Sequence, residues 1–62
     1  MKSTFGELAV GTVFFSSEMD GNMVKVNRND AVYHTTHPRH RAHPTEPWLF
    51  EQDEFVIPKE TL

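Results

Sequence analysis

The four histidines of the chain, His34, His37, His40 and His43, recur at a spacing of three. Neutral imidazole is a common ligand for zinc, copper and nickel, so such a row first suggests a divalent cation. The spacing argues against one shared ion. Residues three apart meet on a helix, but Pro38 and Pro44 interrupt any helix here. In an extended polyproline-like segment they align about 9 Å apart, too far for one ion unless the loop folds back. Cysteine, the usual company of structural zinc, is absent from the chain. The row reads as part of a solvated polar loop, and neither a metal nor any other cofactor is expected.

The same stretch holds Arg39 and Arg41, the only close pair of fixed positive charges. Residues 34–47 carry a net +1 and the remainder −4 with histidine neutral. Guanidinium groups offer forked hydrogen bonds to carboxylates, so this cluster on an acidic body suits an acidic protein partner. His37, His40 and His43 would add charge as pH falls towards the ordinary imidazole value of about 6.5. Tyr33 and Trp48 flank the loop. They either stack on nucleic-acid bases beside the arginines or cap the core at the loop's base. Nucleic-acid binding is the second choice, because such binders usually present a larger cationic face. Catalysis has less support. Ser3, Ser16 and Ser17 lack a strand-turn-helix elbow, no glycine-rich phosphate cradle exists, and Asp53 and Glu54 lie in a turn. No enzyme activity is expected.

These residues need elements to hold them. Thr4 and Glu7 have capping-box spacing, which predicts one helical turn that plants Phe5 and Leu8 in the core. Thr12–Ser16 is rich in β-branched and aromatic residues and reads as a strand. Asp20, Gly21 and Asn22 form a hairpin turn signal, and 22–27 is the return strand. Asn27–Asp30 is a second turn, and Ala31–Thr35 a third strand. Residues 36–47 hold three prolines, three histidines and two arginines, which predicts a long polar loop. Trp48–Phe50 is a short strand, 51–54 an acidic turn, and Phe55–Ile57 a last strand stopped by Pro58. The tail from Lys59 to Leu62 is expected to fray. Alternation predicts an inner face of Val13, Phe15, Val24, Val26, Val32 and Phe50, with Met23 and Lys25 outward. Phe14 then either joins Met23 in an outward patch suited to a protein interface or packs beneath the amino-terminal turn. Five short strands in so few residues suggest a small antiparallel barrel or strongly bent sheet.

Composition bounds the rest. With 62 residues there is room for one domain, spanning 1–62, and little room for a buried catalytic cleft. A net charge of −3 argues against general nucleic-acid affinity. No apolar run approaches the roughly 20 residues that cross a bilayer, and no signal-peptide pattern opens the chain. A cytoplasmic protein without membrane contact is expected.

The opening Phe5-Gly6-Glu7-Leu8-Ala9-Val10-Gly11-Thr12-Val13-Phe14 resembles that of small phage and bacterial proteins beginning F-x-x-L-x-V-G-x-x-F. Val24-Lys25-Val26, then Phe50, Asp53-Glu54 and Val56, match their later punctuation. The resemblance covers the first half and the last dozen residues. It implies an SH3-like barrel and a phage accessory protein that blocks or redirects a host enzyme in the host cytoplasm. It implies no catalytic activity. Residues 34–47 depart from the pattern, which has a short connection there, and so individual function is expected in this insertion. The expected partner-binding residues are Tyr33, His37, Arg39, His40, Arg41, His43 and Trp48 around the loop, with Phe14 and Met23 on the hairpin.

Overall fold

A computed structural model of the chain describes residues 2–60. Six short strands form one antiparallel sheet: β1 (Ser3–Thr4), β2 (Val13–Ser16), β3 (Gly21–Lys25), β4 (Asp30–Tyr33), β5 (Trp48–Leu49) and β6 (Phe55–Glu60). Their order across the sheet is β1-β6-β2-β3-β4-β5. One 3₁₀ turn, Phe5–Glu7, follows β1. The expectation of an all-β chain with one short amino-terminal helical turn is borne out. Closure into a barrel is not shown, because β1 and β5 remain the two edges of the sheet. β1, which pairs with β6, is a sixth strand beyond the five expected. No helix among the described residues is long and apolar enough to cross a membrane.

Local chemistry explains the turns. The Glu7 carboxylate accepts from the Thr4 N–H and hydroxyl, each at 2.9 Å, which fixes the entry to the 3₁₀ turn. The β2–β3 hairpin turns through 17–20 rather than the expected 20–22, which places Gly21 and Asn22 in β3, and Asp20 takes the left-handed conformation at φ 58°. Asn27 Oδ1 accepts from the Asn29 and Asp30 amides, the expected Asx turn between β3 and β4. Pro58 does not stop β6, which runs to Glu60. The proline sits opposite Phe14 where the β2–β6 register shifts, a bulge that tolerates a missing N–H. Lys59 therefore lies within β6 rather than in a frayed tail; Thr61 and Leu62 lie outside the described residues.

The faces of the hairpin are the reverse of the expected ones. The core is Phe5, Phe14, Met23, Ala31, Tyr33, Phe50 and Val56. Phe5 and Phe50 stack at 4.8 Å, and Phe14 meets both edge-on. Phe14 thus packs beneath the amino-terminal turn, and Met23, also fully buried, is no outward residue. Val13 is buried as expected, but Val26 is 40% exposed and Phe15, Val24 and Val32 are half-buried. Both parities of β2 and β3 carry apolar residues, so alternation alone cannot choose between them. Volume decides: Phe14, Met23 and Tyr33 fill the space above the sheet, while β-branched valines suit a pleated, partly covered surface.

Lys25 follows Met23 inward and is 3% exposed. Its Nζ donates to the Phe5 carbonyl at 3.0 Å and the Leu8 carbonyl at 2.8 Å. It also lies 4.5 Å from the centre of the Phe5 ring. Burial pulls this ammonium below the usual lysine range. The lysine clamps the 3₁₀ turn onto the sheet.

Candidate functional site

The loop is wound rather than extended from His34 to His43. His37 N–H donates to the His34 carbonyl, His40 to His37, and His43 to His40, each bond spanning three residues. Each of these three histidines therefore closes a turn that opens at the histidine before it. This winding aims His37 and His43 at the aromatics that flank the loop. The His37 ring lies 4.1 Å from that of Tyr33, and His43 lies 6.2 Å from both Tyr33 and Trp48.

His37 is the pin, only 4% exposed. Its Nδ1 accepts from the Arg39 N–H at 3.0 Å, so its Nε2 carries the proton and donates to the Met19 carbonyl at 2.8 Å. These two bonds require the neutral ring. A second proton on Nδ1 would face the Arg39 N–H and cancel that bond. The pin joins the loop to the β2–β3 turn, where the Met19 amide donates to Ser16 Oγ. Space for the ring exists because position 21 is glycine. A Cβ there would lie 2.5 Å from His37 Cδ2. A second tie starts from Asn22, whose amide donates to Thr36 Oγ1, which in turn meets His34 Nδ1 at 2.8 Å.

Arg39 and Arg41 remain exposed, and neither forms an ion pair among the described residues. The loop's carboxylate, Glu46, sits 3.0 Å from His43 Nδ1 instead. Arg39 is displayed two residues from a buried anchor, with its own amide held by that anchor. His40 and His43 are half-buried, and His43 keeps the Glu46 contact.

The expected site is thus split. Arg39, Arg41, His40, His43 and Trp48 remain at or near the surface. Tyr33 and His37 are buried and act as supports, so Tyr33 offers no free ring to a nucleic-acid base. Phe14 and Met23 belong to the core, which corrects their place in an outward patch. The rings of His34, His37 and His43 bond to the protein itself, and no three metal-ligating side chains come together among the described residues. Residue spacing did not reveal Gly21, the Met19 carbonyl or Thr36. The nearest signal was the Gly21-Asn22 pair, which marks a turn and says nothing of a ring packed against it.

Compared with known proteins, the chain matches no family model, no curated protein and no solved structure.

Proposed function

We propose that the chain is a non-enzymatic protein-binding module that presents Arg39 and Arg41 to an acidic surface of its partner. The supporting observation is the pairing of two uncommitted guanidinium groups with a loop pinned at His37. Such anchoring lowers the ordering cost of binding, because the loop backbone is already held. The electrostatics also fit, since the body of the chain is acidic and the loop is its cationic region. Resemblance of the opening segment extends the reading to a phage accessory protein whose partner is a host enzyme. A groove between β6 and β2, at about 120 Å³, lies apart from this loop.

The test begins with a pull-down from host lysate and mass spectrometry. The captured partner is then titrated with the chain and with its Arg39→Ala, Arg41→Ala double variant. A loss of at least tenfold in affinity with unchanged melting temperature supports the reading. Unchanged affinity overturns it. Direct binding to duplex DNA that falls by about 0.9 log units per tenfold rise in salt for each neutralised phosphate would instead identify nucleic acid.

A further inference from the structure

A second surface lies on the outer face of the sheet, where β1, β6 and β2 adjoin. Alternation in β6 buries Val56 and turns Phe55 and Ile57 outward, 68% and 40% exposed. Phe15 pairs with Ile57 and lies beside them. With Lys2 and Ser17 these residues line the groove of about 120 Å³. An engineered cavity of about 150 Å³ holds benzene, so this groove has room for about one side chain. Its flanks carry opposite charges. Lys2 lines it and forms no ion pair among the described residues. Glu18 follows Ser17, and Glu54 precedes Phe55. Burial and the Glu18 charge both raise the proton affinity of Glu54, so these carboxylates repel one another without a cation between them.

We propose that this face binds a second copy of the chain about a two-fold axis through the groove. A two-fold interface must be complementary to itself. An apolar centre with a cation on the β1 side and the Glu18 carboxylate on the β2 side meets that demand. The two Phe55 rings pack across the axis over Ile57 and Phe15. Lys2 of each copy reaches Glu18 of the other, which offsets the Glu18 charge that bears on Glu54. Area sets the strength. A stable dimer buries about 800 Å² on each partner, about a fifth of this chain's 4183 Å². Three apolar side chains and their charged rim cover less, so the dimer is weak and dependent on concentration.

Sedimentation equilibrium of the whole chain over a concentration series tests this. The expected result is a monomer–dimer equilibrium that weakens with salt and is lost or weakened at least tenfold in Phe55→Ser. Lys2→Glu and Glu18→Lys should each weaken self-association. Mixed in equal amounts, these two variants should restore a heterodimer, because both cross-axis contacts regain opposite charges. All three positions are exposed, and circular dichroism verifies that each variant stays folded. A chain that remains monomeric at every concentration overturns the proposal. So does association that survives Phe55→Ser, or charge variants that fail to pair when mixed.

Discussion

Two irregular segments are held to the sheet by one buried ionisable side chain each, and their protonation demands differ. The amino-terminal turn is clamped by Lys25, an ammonium that donates to the Phe5 and Leu8 carbonyls. The long loop is pinned by His37, a neutral ring that both accepts and donates. Lysine only donates, so it suits a turn end where carbonyls converge and no amide needs a partner. Imidazole does both, so it can join an amide of its own loop to a carbonyl of a neighbouring turn. The environments also differ. Lys25 sits over the Phe5 ring beside the aromatic trio, while His37 lies tilted against Tyr33 at the base of the polar loop. The first segment is thus part of the core, whereas the second is fastened onto it.

The largest effect should come from breaking the core segment. Phe5→Ala removes a fully buried ring that stacks on Phe50 and meets Phe14 edge-on. Such truncations cost about 3–5 kcal/mol. A domain this small has about that much stability in total, so the variant should be largely unfolded at room temperature. Urea denaturation followed by circular dichroism measures it. A folded variant with only a slightly lower midpoint would mean that the turn is fastened on like the loop.

Breaking the pin should cost less. In Gly21→Ala the new Cβ would overlap the His37 ring, so the ring must leave its seat. Overpacking of this kind costs about 2 kcal/mol. Adding His37→Ala to Gly21→Ala removes the clash, and the double variant should be more stable than the sum of the two single changes implies. Strict additivity would show that Gly21 and His37 do not share a site. Nitrogen chemical shifts of His37 offer a sharper reading, with the proton expected on Nε2.

The same contrast explains what could be read from the residues. Five of the six strands, the Asn27–Asp30 turn and the Thr4–Glu7 contact follow from local chemistry and were legible, whereas β1 was not and the first hairpin turn lies at 17–20 rather than at Asp20–Asn22. The choice of face was not, because Val13, Phe15, Val24 and Val26 alternate as well as Phe14, Met23 and Lys25 do. A lysine inside the sheet reads as an outward residue until two carbonyls are known to wait for it. His37 was hidden in the same way. Its burial depends on a glycine 16 positions earlier, and the carbonyl it meets belongs to Met19, 18 residues away. Arg39 and Arg41 were legible as a cationic pair, but the loop's anchoring was not.

Removing the Lys25 ammonium should cost about 1–2 kcal/mol at neutral pH in Lys25→Met, since two carbonyls lose a charged donor while the apolar stem is retained. Its pH dependence carries a distinct sign. Burial lowers the folded-state proton affinity, so the unfolded chain keeps this proton to higher pH than the native one. Stability therefore rises as pH climbs from the lowered native value towards the ordinary lysine value of about 10.4. Denaturation midpoints across the alkaline range should show this rise in the parent chain, relative to Lys25→Met. Parallel profiles would mean that the ammonium is not desolvated.

The smallest effect belongs to the fully exposed Glu7, which bonds the same turn that Lys25 clamps. Hydrogen bonds from the Thr4 amide, then from its hydroxyl, hold the Glu7 carboxyl below the usual range. The native state thus binds its proton less readily than the unfolded chain. The resulting stabilisation is full above the ordinary glutamate value of about 4.3 and is lost as pH falls through the lowered native one. Glu7→Gln keeps an acceptor oxygen but removes the charge, so it should flatten the acid limb of the stability profile and leave the alkaline limb intact. Lys25→Met should do the reverse. Acid denaturation of the two variants beside the parent chain separates the contributions. An acid limb unchanged by Glu7→Gln would show that the exposed contact adds nothing to holding the turn, leaving that task to Lys25 and the Phe5 ring.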